Sequence, residues 1–189
     1  MDVTLAASLD EFFHEVVSDA LATVELDASG PASWYLVGLL GEMTRARITD
    51  EPLGVKLAQT GEEPGERVRT LKQVGDTSLY VAGFFAESLS RSLVDVDYYV
   101  GLGQSAYGQL ARSLGAARNL TEVYAELADK FPRFVDVLTE VRKRTDFAGA
   151  DIGKLYEIWL RTRDEWVEKK LRALGVLVEP DNDNIRVIQ

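Results

Sequence analysis

Four residues, Asp76, Tyr80, Gly83 and Glu87, recur at i, i+4, i+7 and i+11, so on a helix they share one side. The run from Leu79 to Ala86 is apolar all round, which sets two carboxylates and a phenol in a buried stretch. Burial raises a carboxyl pKa, and general acid–base catalysis works best with pKa values moved toward neutrality. The competing reading is that Asp76 and Glu87 close the two ends of this stretch and pair with Arg or Lys. Charged side chains are almost never buried without a partner, so pairing is the preferred reading.

Downstream, Tyr98, Tyr99 and Tyr107 accompany Gly101, Gly103 and Gly108 within one helical pattern. Each glycine costs up to ~1 kcal/mol in a helix interior relative to alanine, so the group wants a reason. Close approach of a second helix is the usual one. The Tyr99–Gly103 stretch is similar to the glycine-bearing distal helix of heme oxygenases, which would imply a flat ligand lying on it. That similarity extends only to this stretch and to an N-terminal helix with one histidine, and helix packing is preferred. A ligand pocket, if the bundle has one, is expected between the central and glycine-rich helices. Asp76, Tyr80, Phe84, Glu87, Tyr98, Tyr99 and Tyr107 would line it.

His14 is the only histidine, and with Glu11 it forms the Glu-x-x-His spacing of carboxylate-bridged di-iron bundles. Such a site needs a second histidine, and the pair falls on the polar face of its helix, so a solvated histidine beside acids is expected. With no cysteine in the chain, thiolate metal sites and cysteine nucleophiles are excluded. No phosphate loop, dinucleotide fingerprint or nucleophile elbow occurs. Asp181-Asn182-Asp183-Asn184 lacks the glycine and closing glutamate of a calcium loop and reads as a turn. No metal, cofactor or catalytic residue is expected.

The elements that would position these groups are helices. Leu9, Phe12, Phe13, Val16, Val17, Ala20, Leu21 and Val24 make one apolar stripe, with Ser8 and Glu11 spaced as a capping box. A break at 27–31 leads to a helix over 32–47 carrying Trp34, Leu36, Val37, Leu39, Leu40 and Met43. A short helix follows near 53–59, then a polar loop over 60–65. The long central helix is expected over 66–93, interrupted at most by Gly75, with Val68, Leu71, Gly75, Ser78, Ala82, Phe85 and Leu89 at near-heptad spacing. Asp95 starts a helix that Gly115 ends. Asn119 and Glu122 cap the next, Pro132 ends or kinks it, and 133–145 continues. Helices over 151–161 and 163–174 follow, the latter capped by Thr162 and Glu165. Beyond Gly175, Val176–Val178 and Ile185–Ile188 flank a turn and read as two short strands. A lone hairpin is marginal in water, so it must dock on the body or on another chain. The reading is an all-α, multi-helix orthogonal bundle around a long central helix. Residues 1–175 form its single domain, and 176–189 a β-hairpin-like tail.

At 189 residues, 46% hydrophobic and 28% charged, the chain can bury a core without metal or disulfides. Its formal charge of -10 is uneven. Residues 1–44 hold eight of the 31 acids and none of the 21 bases, whereas 142–172 hold nine bases against six acids. Nucleic-acid binding wants a dominant basic surface and is not expected. No export signal or membrane-length apolar run is seen, so a cytoplasmic location is expected. These features point to a non-catalytic interaction or regulatory domain, self-associating or bound to a protein partner. Its surface would involve the acidic first helix (Asp10, Glu11, Glu15, Asp19), the basic last helix (Arg163, Lys169, Lys170, Arg172) and the tail (Val176, Val178, Ile185, Val187). The alternative is a helical bundle that binds a small molecule, with or without catalysis, in the pocket described above.

Overall fold

A computed structural model describes residues 3–45, 52–59, 61, 63–89, 95–115, 118–145, 156, 159–160, 163, 165–173, 176–177 and 186–187. The fold is an all-α bundle built from α1 (Val3–Val24), α2 (Gly30–Arg45), α3 (Leu53–Ala58), α4 (Pro64–Phe84), α5 (Ala86–Leu89), α6 (Val96–Ser113), α7 (Arg118–Asp129), α8 (Phe131–Thr145) and α9 (Glu165–Ala173). Two-residue strands, β1 (Val176–Leu177) and β2 (Arg186–Val187), pair antiparallel. Val178 and Ile185 lie outside the described residues.

The apolar periodicities become one core. Phe12, Phe13, Val17 and Ala20 of α1 face Leu36, Val37 and Leu40 of α2, and the core continues through Leu71, Val74 and Leu79 of α4. Tyr107 and Leu110 of α6, Leu127 of α7 and Phe131, Phe134, Leu138 and Val141 of α8 complete it. The helix α4 is central, lying against α2, α3, α6 and α8. α1 packs on α2 and α8, and α6 on α7. α1 and α2 run antiparallel, since His14 meets Trp34 while Asp10, four residues earlier, lies beside Gly41.

Several helix ends differ from the sequence expectation. α1 begins at Val3, so Ser8, expected at its cap with Glu11, is instead inside the helix. It ends with Glu25 in the left-handed region (φ 55°) and a Leu26 N–H to Leu21 C=O bond of 3.0 Å, which turns the chain into α2. Ser29 then caps α2, its Oγ accepting from Ala32 N–H at 3.2 Å. α7 starts at Arg118, which puts Asn119 inside it rather than at its cap. Pro132 falls in the first turn of α8, where its missing N–H costs nothing. The last helix starts at Glu165 because Arg163 has a φ of 49° and is not helical.

The largest correction concerns the central helix, which does not run from 66 to 93. It continues straight through Gly75 and stops at Phe84, where Phe85 leaves the helical region at φ -117° and ψ 17°. A helix that stops leaves carbonyls unpaired, and α8 supplies donors for two of them. Thr139 Oγ1 donates to Gly83 C=O at 3.0 Å, and the Arg142 guanidinium donates to Phe84 C=O. The break is therefore a tertiary feature, capped from another helix. Asp95 behaves as expected at the start of α6, accepting from Tyr98 N–H at 3.1 Å, and Gly115 closes that segment at φ +47°.

Candidate functional site

Asp76 is 2% exposed in the middle of α4 and is held from three helices. Its Oδ1 accepts from the Tyr35 hydroxyl of α2 at 2.5 Å and from the Tyr107 hydroxyl of α6 at 2.7 Å. Its Oδ2 accepts from Lys72 Nζ, one turn earlier on α4, at 2.7 Å. Lys72 also donates to Glu42 of α2 at 3.1 Å, and its ammonium lies 5.7 Å from the Tyr35 ring centroid. Tyr124 of α7 closes the cluster. It stacks on Tyr107 with centroids 5.7 Å apart and meets Tyr35 edge-on at 5.4 Å.

Gly75 makes this arrangement sterically possible. A Cβ there would lie 2.5 Å from a ring carbon of Tyr107, so only glycine lets the ring lie flat on α4 and reach the neighbouring carboxylate. Gly103 does the same for the ring of Phe131. The glycines of α6 are thus explained at one position, by a ring rather than by a helix backbone. Gly101 has nothing within 4 Å of an added Cβ, and at Gly108 the nearest atom, an Arg112 nitrogen, lies at 3.7 Å.

Electrostatically the cluster is tight. Burial, the largest influence, lifts the Asp76 carboxyl above the ordinary carboxylate range, against the pull of Lys72, Tyr35 and Tyr107. Desolvation, the largest single influence, opposes the charge on Lys72, but Asp76 and Glu42 together outweigh it and the ammonium is held above its ordinary range. Burial likewise raises Tyr35, Tyr107 and Tyr124, with the neighbouring Asp76 charge adding to each. All three phenols therefore stay protonated through the neutral range, and Tyr35 and Tyr107 act as donors. With both lone pairs of Oδ1 engaged and Oδ2 bound to an ammonium, the carboxylate joins α2, α4 and α6 as a cross-link. Each hydrogen bond to a charged acceptor contributes about 1.5–3 kcal/mol.

Among the residues singled out for a ligand pocket, Asp76 and Tyr107 are brought into direct contact. Tyr80 stacks on Phe84 at 4.6 Å and meets Phe85 edge-on at 5.9 Å; burial raises its phenol, with Arg142 pulling the other way. Tyr98 and Tyr99 meet each other edge-on at 5.4 Å, and the Tyr98 hydroxyl lies over Gly54 of α3. Glu87 belongs to α5, but its side chain lies outside the described residues, as do those of Lys170, Val176 and Val187. Sequence reasoning missed Tyr35, Lys72 and Tyr124. Only Lys72 left a trace, as an i, i+4 partner of Asp76. Among the described residues, no group of three His, Asp or Glu side chains is placed to hold a metal ion.

The surface carries a second arrangement. Trp34, counted by sequence among the apolar residues of α2, is 55% exposed. His14 of α1 stacks on it, with ring centroids 4.5 Å apart and planes at 30°. Around this pair, Asp10, Glu11 and Glu15 on α1 and Gly38 on α2 are exposed. The acidic face is answered by a base at its far end, where Arg144 lies 3.8 Å from Asp19 and donates to Thr23 Oγ1 at 2.6 Å. The other residues singled out for interaction are on or beside the last helix. Arg163 covers the Trp159 ring at 4.1 Å, Arg172 pairs with Glu168 at 2.6 Å, and Lys169 is exposed. Among the described residues no helix is long and apolar enough to cross a membrane. No protein-family model matches the chain, and neither a curated protein nor a solved structure matches it.

Proposed function

We propose that the chain is a non-catalytic interaction domain whose working surface is the α1–α2 face. The observation that carries this reading is the exposed Trp34, held in a fixed orientation by His14 on a face rich in acids. Tryptophan is the residue most enriched among binding hot spots, and one left half in water by the fold is available to a partner. The polar cluster supports the same reading from the other side. Asp76 spends three of its roughly four acceptor sites on Tyr35, Tyr107 and Lys72, and the Tyr107 ring occupies the ground over Gly75.

Hydroxyl-radical footprinting tests the proposal. Oxidation of Trp34 is compared between purified protein and protein inside the cells that make it, with exposed Tyr98 as internal reference. Protection of Trp34 relative to Tyr98 inside cells is expected, and equal oxidation in both settings contradicts the reading. Self-association is the second form of this proposal, favoured by the pairing of β1 with β2, since a lone two-stranded hairpin is marginal in water. Sedimentation over a wide concentration range would then show a rising mass that falls back when residues 176–189 are deleted. A constant monomer mass removes self-association.

A further inference from the structure

We infer that the α1–α2 face takes a cationic segment of another protein, with a lysine or arginine side chain seated on the indole of Trp34 above Gly38. This rests on the interaction reading and adds the chemistry of the partner. One face of the indole is covered by His14, and the side chain is 55% exposed, so it offers a fixed π surface to solvent. A cation centred over such a surface is attracted by the ring quadrupole, and tryptophan is the strongest of the aromatic acceptors. Gly38, one helical turn beyond Trp34, has nothing within 4 Å of the position a Cβ would take. It leaves open space one turn along α2 from the indole.

The charges around this seat select the partner's sign. Residues 1–44 contain eight acids and no lysine or arginine. Among the described residues the protein's own cations answer this hairpin elsewhere. Lys130 and Arg133 donate to Asp27 C=O and Val24 C=O at its turn, Arg144 reaches Asp19, and Lys72 reaches Glu42. Asp10 and Glu11, one turn before His14 on α1, are exposed and have no ion-pair partner among the described residues. An incoming cation therefore meets carboxylates that have no ion-pair partner among the described residues on one side and the indole on the other. A second copy of the chain is a poorer occupant, because two molecules with a formal charge of -10 repel each other.

His14 supplies the readout. As the only histidine, its imidazole C–H signals in an NMR spectrum need no assignment, and the Trp34 ring current makes them sensitive to whatever covers the indole. The full-length protein is titrated with a glycine–arginine peptide, and with glycine–glutamine and glycine–glutamate peptides of equal length. Saturable shifts of the His14 signals are expected with the cationic peptide alone. Binding should weaken several-fold between about 50 and 300 mM salt, as screening shortens the reach of the carboxylates. Trp34→Ala should bind roughly tenfold more weakly and Trp34→Phe within about threefold of the parent, as loss and retention of a ring acceptor imply. Asp10→Asn with Glu11→Gln, two exposed positions that the fold does not need, should weaken binding with helix content unchanged.

Equal shifts with the neutral peptide would overturn the inference. So would unchanged affinity in Trp34→Ala, which would mean attraction to a diffuse acidic surface. His14 signals that move with protein concentration in the absence of peptide would assign the face to a second copy instead. If footprinting protects Trp34 in cells but no cationic peptide binds, the partner chemistry is wrong and the interaction reading survives. If Trp34 is also unprotected, both fail.

Discussion

Replacing Lys72 by methionine isolates the electrostatics of the buried cluster, because the aliphatic stem is kept and only the ammonium is lost. Asp76, 2% exposed, would keep Tyr35 and Tyr107 on Oδ1 but lose the donor 2.7 Å from Oδ2. Breaking a buried pair from one side costs about 3–5 kcal/mol because a charge is left uncompensated. Lys72 is itself partly solvated, with 36% of its side chain exposed, and the two tyrosines still hold the carboxylate, so we expect about 2–4 kcal/mol at pH 8. For a chain of this length that is roughly 5–12 °C in Tm. The pH dependence is the sharper signature. Losing the ammonium raises the folded-state pKa of Asp76 further above its unfolded value. A carboxyl so shifted destabilises the fold fully above its folded pKa, and the penalty is relieved as pH falls through that pKa. The deficit of Lys72→Met should therefore shrink on acidification, by at most about 1.4 kcal/mol per pH unit for one proton. Urea unfolding followed by circular dichroism at pH 8, 7, 6 and 5 measures it, taken as a difference from the parent so that other groups cancel. Glu42→Gln, which breaks only the exposed half of the Lys72 interaction, should cost under about 1 kcal/mol. A Lys72→Met deficit below about 1 kcal/mol, or one constant across pH, refutes the reasoning.

Three other changes follow from the same packing. Gly75→Ala should destabilise by about 1–3 kcal/mol despite its better helix propensity, since the new Cβ meets the Tyr107 ring. Gly101→Ala, with nothing within 4 Å, should stabilise by about 0.5–1 kcal/mol; thermal melts of the two variants should move in opposite directions. Glu126 accepts from Ser29 N–H and from Lys130, both at 3.0 Å. Partial burial pushes its carboxyl up, but these donors outweigh it and hold it below the ordinary range. Its contribution is thus present above the unfolded pKa and lost as pH falls through the folded one. Glu126→Gln should cost about 1 kcal/mol at neutral pH and progressively less in acid, which a pH series of urea midpoints reads directly.

The helices were legible because each depends on a pattern local to itself. The α1 stripe ending at Val24 and the Asp95 cap of α6 involve residues within a turn or two of one another. The end of α4 was not legible, because the donors that accept its break, Thr139 and Arg142, lie on α8, more than fifty residues away. The polar cluster was half legible for the same reason. Asp76 stood out as a carboxylate beside an apolar run, and Lys72 lay at helical spacing from it. Tyr35 and Tyr124 sit on helices whose orientation only the tertiary fold sets. Gly75 was read as a seam residue and instead proved to be the space that Tyr107 fills. The sequence places Trp34 only among the apolar residues of its helix, and that placement does not say whether its direction allows burial. Its position on α2 turns it toward His14 and water, and nothing in the hydrophobic pattern distinguishes it from Leu36.

The central claim is that the Asp76 carboxylate and the Tyr107 phenol are closed against solvent and bound to each other, leaving function to the surface. The hydroxyl proton of Tyr107 reports on this directly, since that side chain is fully buried and donates to Asp76 at 2.7 Å. In protein labelled at the tyrosine ζ carbon, NMR should show a downfield Tyr107 hydroxyl resonance. Its exchange with water should be slow and unchanged from neutral to mildly alkaline pH. A hydroxyl that exchanges too fast to be seen would mean that water reaches Asp76. The cluster would then be an open polar site, and the ligand-binding reading would replace the one proposed here.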